Sequence, residues 1–250
     1  MELYSALPLT FYFLLVELIL GTALAVLLVE PRLEVGVGFL QFMGIAILAT
    51  LLLALWAGGA AEIGSRRPLL GALAAAALYT AFSFRPRRLP RIAAGAALAG
   101  TSGLALVSGL AANAPTGAAG PVLVSFVAAS AALGASTTGM LLGHWYLVAP
   151  MLSARPLIRL TVLLLVALVA QAAILVWLAG GDELARFGPV VWIRGAFGIL
   201  FPLAMAGFVW YSCRIRAMRT ATGILYLAVG CVLMGDVAAK VIYFLTAVPL

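Results

Sequence analysis

Charge is scarce in this sequence. Only 9% of its 250 residues are Asp, Glu, Lys or Arg, 65% are hydrophobic, and the mean hydropathy is +1.20. Average soluble chains are about a quarter charged, which excludes a soluble domain and leaves an integral membrane protein. Cysteine occurs twice, as Cys213 and Cys231, with neither a CxxC nor a metal-ligand spacing, so two free buried thiols are expected. Histidine occurs once, as His144, and cannot by itself supply a bis-His haem. Met140, one turn away on the same helix face, could not ligate opposite it. Neither an intrinsic cofactor nor a metal site is therefore expected. Asn and Gln are few and Ser and Thr are scattered, which argues against a wide hydrophilic path for solutes. With no phosphate-binding glycine loop, no HExxH and no GxSxG, a self-contained enzyme of the soluble type is not expected either.

What is present is apolar sequence in long runs. A span needs about 20 apolar residues to cross roughly 30 Å of hydrocarbon. Eight segments qualify, at 8–29, 36–57, 68–84, 92–112, 121–148, 158–179, 190–211 and 221–248, the third being the shortest. Breaks such as Glu30-Pro31-Arg32, Gly64-Ser65-Arg66-Arg67-Pro68 and Arg85-Pro86-Arg87-Arg88 separate them, as do 117–121, Ala154-Arg155-Pro156 and Gly180-Gly181-Asp182. The predicted fold is an all-α polytopic membrane helix bundle, one domain over residues 1–250. The amino terminus has no basic segment ahead of its first apolar run, which predicts a retained helix rather than a cleaved signal peptide.

The formal net charge of +7 is almost entirely arginine, which in such a chain is a topology signal rather than a nucleic-acid site. Arg85, Arg87, Arg88 and Arg91, then Arg155 and Arg159, then Arg214, Arg216 and Arg219 follow odd-numbered spans, so eight spans put all three clusters on one side. Basic loops stay in the cytoplasm, which predicts both termini outside. Trp56, Trp177 and Trp192 then fall at outer span ends and Trp145 and Trp210 at inner ends, where aromatic belts belong. Ala, Leu and Arg usage with a single lysine points to a bacterial source and hence to the inner membrane.

Small residues recur every fourth position in span five (Ala131, Ala135, Gly139, Gly143) and span four (Gly95, Ala99, Gly103). Such rows let helices approach closely where lipid supplies no hydrophobic drive, and they predict contacts between neighbouring helices of the chain. No sequence repeat relates the first four spans to the last four, which weakens an alternating-access transporter.

Against this background a few polar residues stand out. At about 1.5 Å per residue, Glu17 lies roughly 14 Å below the outer surface, Lys240 about 12, Asp236 about 18, Gln171 about 12 and Arg194 about 6 Å. Asp236, Lys240 and Tyr243 share one face of the last helix. A charged side chain at such depth needs a partner, and Glu17 is the acidic group that another helix offers Lys240 at its own level. Two roles fit the cluster: an ion-pair lock between the first and last helices, or a protonatable site open to the outer half of the membrane. In the second, Glu17, Asp236 and Lys240 are the proton-exchanging residues, and Gln171, Arg194 and Tyr243 border the ligand. Nearer the inner surface, His144 beside Trp145 and Tyr146 reads first as an interfacial hydrogen-bonding residue; a contact to a quinone head, with Gln41 at similar depth, or a haem ligand shared with another subunit is the alternative. The expected function is a membrane subunit of a redox or respiratory assembly that meets a lipid-soluble quinone, with membrane lipid and other membrane subunits as partners. A small proton-coupled transporter and a non-catalytic scaffold or assembly protein are the rival readings.

Overall fold

The computed structural model describes residues 3–30, 35–61, 63, 66–85, 87–115, 120–149, 151–179 and 191–248. They form eight helices with no strand among the described residues: α1 (Leu3–Val29), α2 (Val37–Ala60), α3 (Arg67–Ser83), α4 (Arg88–Asn113), α5 (Gly120–Val148), α6 (Arg155–Ala179), α7 (Ile193–Arg214) and α8 (Met218–Thr246). The helices are apolar around most of their circumference, as expected where the solvent is lipid and backbone groups must pair within the segment. Their Ser and Thr hydroxyls turn inward on their own helices: Thr50, Thr80, Ser83, Ser130 and Thr161 each donate to the carbonyl four residues earlier.

Among the described residues, seven helices are long and apolar enough to cross a membrane. The remaining one, α3, has 17 residues. It nevertheless traverses the bundle: Arg66 at its start lies beside Gly59 near the end of α2, and the Ser83 carbonyl at its end accepts a hydrogen bond of 3.2 Å from Gln41 Nε2. At about 1.5 Å per residue it is roughly 25 Å long, near the lower limit for a span. The breaks expected at 31–32, 64–65, 86, 117–119 and 180–182 lie outside the described residues.

The helices close into two rings of four. In the first, α1 packs on α2, α2 on α3, α3 on α4 and α4 back on α1; in the second, α5, α6, α7 and α8 repeat the pattern. The rings join through α1 and α5, the two most deeply buried spans, and α1 also touches α6 and α8. The α1–α5 contact is backbone to backbone. A Cβ on Gly21 would lie 1.7 Å from the Ser130 carbonyl oxygen, and one on Gly134 1.9 Å from the Gly21 carbonyl carbon. The chain thus repeats architecturally although its sequence does not.

The small-residue rows are only partly used as expected. Gly139 meets Leu157 and Leu225, Gly143 meets Thr222, and Gly95 meets Leu27 and Tyr79, all within the chain. Gly103 faces open space. The residue that admits α1 is Gly134, one row over from the expected stripe.

A second difference lies in α7, whose first eight residues, Ile193–Leu200, form a π-helix before regular α-geometry resumes. Pro202, in the first turn of the regular α-helix that follows, has no N–H to offer the preceding turn, so the change of helix type falls where a proline interrupts the bonding.

The ends of α1, α3, α5 and α7 share one face of the bundle. Arg91 at the start of α4 reaches Glu30 beyond the end of α1, and Trp145 near the end of α5 stacks edge-on against Phe39 at the start of α2, 6.1 Å between centroids. The basic connections α3–α4, α5–α6 and α7–α8 therefore lie together. Arg91 itself departs from the loop role expected of it, because α4 already begins at Arg88 and turns Arg91 inward. The orientation is testable with a thiol reagent that cannot cross the membrane. Asn113→Cys should be labelled in intact cells and Arg87→Cys should not; the reverse pattern would invert the topology. Asp182, a third position expected outside, lies beyond the described residues.

Candidate functional site

Glu17 faces the second ring from the middle of α1. Asp236 and Lys240 face it from α8, one helical turn apart. Lys240 Nζ makes ion pairs with both carboxylates, to Glu17 Oε2 and, at 2.5 Å, to Asp236 Oδ2. The neighbour relation expected between Glu17 and Lys240 is therefore present in the structure. All three side chains are buried, Glu17 completely. Lys240 also stands 5.1 Å from the centroid of the Phe126 ring on α5, so its charge meets an aromatic face as well as two carboxylates.

Arg194, carried on the π-helical turn of α7, is buried in the same region and lies within electrostatic range of both Asp236 and Glu17. Its path runs over a second glycine contact. A Cβ on Gly198 would stand 2.6 Å from Gly235 Cα and 3.6 Å from Arg194 Cδ, so α7 and α8 touch one residue before Asp236. Arg194 Nη2 donates to Gln171 Oε1 on α6 at 2.7 Å, and Gln171 Nε2 donates to the Ala128 carbonyl of α5 at 3.1 Å. With Glu17 and Asp236 ionised, Lys240 and Arg194 bring the formal charge of the group to zero.

The cluster is tightly packed. The space beside Glu17, Asp236, Lys240 and Ser125 has a volume of about 10 Å³, room for about one water molecule. Toward the end where α1 begins it is roofed by aromatic rings. Phe126 packs on Phe13 and Tyr243 with centroids 5.6 and 5.5 Å apart, and Phe13 continues to Tyr12 and Phe244. Tyr243 thus belongs to the site, as one wall of its roof.

Two residues with expected ligand roles are not brought to this cluster. Gln41 is committed to the Ser83 carbonyl on α3. His144 is exposed on the outer surface of α5, its Nδ1 lying 3.5 Å from Tyr226 Oη of α8.

A second buried ion pair was not anticipated. Glu30 Oε1 pairs with Arg91 Nε, while Tyr79 Oη donates to Glu30 Oε2 at 3.1 Å, and all three residues are buried. In sequence Glu30 reads as a stop signal and Arg91 as a loop charge, because both sit at span ends. The buried Tyr79 on α3 gave no signal by which to join them.

One further feature bears on function. On the lipid side of α5 and α6, Val124, Val127, Ala131, Val166 and Ala170 border an apolar groove of about 410 Å³ whose wall includes Ala128. The same stretch of α5 turns Ser125, Phe126 and Ala129 to the ion cluster, so one helix separates groove from cluster. The chain matches no family model, no curated protein and no solved structure.

Proposed function

We propose that this chain is a membrane subunit of a redox assembly that meets a lipid-soluble quinone, with Glu17, Asp236 and Lys240 as its proton-exchanging group. The observation that carries this reading is that a single helix, α5, separates an apolar lipid-facing groove from a buried ionisable cluster. Behind the groove wall Gln171 donates to the Ala128 carbonyl and accepts from Arg194, which lies in the field of Asp236 and Glu17. An α-helix with its side chains is about 10–12 Å across, so a quinone head in the groove would sit within roughly that distance of the carboxylates.

Oxidation of a quinol to the quinone releases two electrons and two protons. The electrons would pass to a partner subunit, since no redox group is expected in this chain. The two protons would pass to the two ionised carboxylates, Glu17 and Asp236, by way of the single water the cavity can hold. Arg194 stays protonated and moves no proton. Its role is to keep a neighbouring carboxylate ionised and to orient the Gln171 amide. In this reading the protein resides in the cytoplasmic membrane of a bacterium.

A second reading has one observation in its favour. A sealed, charge-balanced cluster between glycine-tight helix contacts is also what a scaffold would use to fix α1 against α8, and buried pairs serve registry better than stability. The two readings part on ligand content. Protein purified into lipid nanodiscs should retain about one extractable quinone, and Ala131→Leu with Ala170→Leu, which fill the groove from its part-exposed walls, should reduce retention at least tenfold without loss of folded protein, on the order of 1.4 kcal/mol or more. Wild-type protein with no bound quinone would leave the scaffold reading standing.

A further inference from the structure

On the basic face of the bundle, the connections α5–α6 and α7–α8 enclose a cleft of about 450 Å³ between Tyr146, Leu147 and Leu152 on one side and Arg216, Met218 and Arg219 on the other. Among the described residues no carboxylate lines it. We propose that this cleft seats the headgroup of an anionic phospholipid, whose acyl chains descend along the lipid face of α8. The quinone reading plays no part in this assignment.

Three observations carry it. The first is the turn that ends α7. Ala217 N–H donates to the Ser212 carbonyl at 2.8 Å and Arg216 N–H to the Cys213 carbonyl at 3.2 Å, the paired bonds of a helix stop whose left-handed residue is usually glycine. Here it is Arg216, at φ 59°. A β-carbon is unfavourable in that conformation, and glycine would fit better unless the guanidinium has a use. With Arg219, the second residue of α8, it gives the cleft two exposed cations.

The second observation is the pair left over from the site above. Two turns further along α8 from Arg219, about 10 Å deeper, Tyr226 Oη and His144 Nδ1 lie 3.5 Å apart, both exposed to the membrane. They offer polar atoms below the guanidinium level, as a phospholipid presents ester oxygens below its phosphate. The third is the shape of α8 along that line. Gly223 and Gly230 have nothing within 4 Å of where a Cβ would be, so the lipid face is furrowed on either side of Tyr226. A water-soluble anion or a peripheral protein would use the cleft alone. A phospholipid uses the cleft, the polar pair and the furrow together, and basic pockets between transmembrane helices are where anionic headgroups bind.

The test uses the intact protein in a neutral detergent with phosphatidylglycerol, phosphatidylcholine of the same chains, or inorganic phosphate added. Phosphatidylglycerol should raise the unfolding temperature and stay bound in native mass spectrometry; phosphatidylcholine and phosphate should do neither. Arg216→Gly with Arg219→Gln removes both charges while the left-handed turn is kept. It should weaken phosphatidylglycerol binding about thirtyfold, the loss expected for two surface cations. Arg216→Gly alone should be at least as stable as wild type without lipid, which shows that the turn survives. Equal effects of the two lipids, equal effects of inorganic phosphate, or undiminished binding by the double variant would overturn the assignment.

Discussion

Lys240→Met is expected to destabilise the protein by about 3–5 kcal/mol, with water entry bringing the value in a membrane toward the lower end. The reason is charge bookkeeping at a buried site. With both carboxylates ionised, Lys240 and Arg194 balance Glu17 and Asp236, and Nζ bridges the two carboxylates. Without it two buried carboxylates share the single cation Arg194, and the formal charge falls from zero to −1. Glu17→Gln in the same chain restores neutrality, leaving Asp236 within range of Arg194, so the double variant should recover part of the loss. A double-mutant cycle on unfolding in denaturing detergent measures the coupling, and strictly additive losses would show that the two residues do not interact. The same variants separate a relay from a lock. A lock regains function with its stability, whereas a relay folds and remains inactive because the exchanging groups are gone.

That this pair could be read from sequence follows from the solvent. In hydrocarbon a charge cannot be left alone, so Glu17 and Lys240, at one estimated depth on different helices, constrain each other before any coordinates exist. At a span end the same logic fails. Glu30 and Arg91 are as buried as the central pair, yet water lies within a side chain's length of such positions and a charge there needs no partner. Only the packing of α1, α3 and α4 reveals theirs. The eight helices were legible from long apolar runs and the breaks between them. The π-turn carrying Arg194 was not, although Pro202 marks the place where an unbroken α-helix fails. Gln41 and His144 show the limit of depth as a guide: depth gives a level along the bundle normal and says nothing of which way a helix is turned.

Pairing also gives the two rings a common logic. The last helix of each ring carries a cation paired with a glutamate of the α1 segment: Arg91 with Glu30, just past α1, closes the first ring, and Lys240 with Glu17 ties the second ring to the first. Thirteen residues separate the two glutamates, about 20 Å along the helix, so α1 is held at two levels by two different neighbours. Arg91 and Lys240 occupy corresponding helices of the rings. The pair with the additional carboxylate, the one-water cavity and the neighbouring lipid-facing groove is the one on α8. That difference is why chemistry is assigned to the second ring and a structural role is left to the first.

Gly134→Ala tests the contact on which this arrangement hangs, and a pair of glycines on different helices supplies its control. An added Cβ at Gly134 would fall 1.9 Å from the Gly21 carbonyl carbon and 2.1 Å from its oxygen. Those atoms are backbone of a central helix and cannot swing aside, so α1 and α5 must separate. Overpacking typically costs 1–3 kcal/mol where side chains can adjust, and about 3 kcal/mol or more is expected here. Gly21→Ala meets the Ser130 carbonyl oxygen at 1.7 Å and should cost as much. The two losses should not add, because helices already pushed apart accommodate the second methyl group readily. Gly103→Ala, by contrast, enters open space on α4 and should be neutral or stabilising by up to about 1 kcal/mol through helix propensity. A four-residue row does not distinguish these positions, since neighbouring rows on a helix have the same period; what separates them is whether another backbone lies against the glycine. If unfolding in denaturing detergent finds Gly134→Ala as stable as Gly103→Ala, the α1–α5 contact is not what joins the two rings.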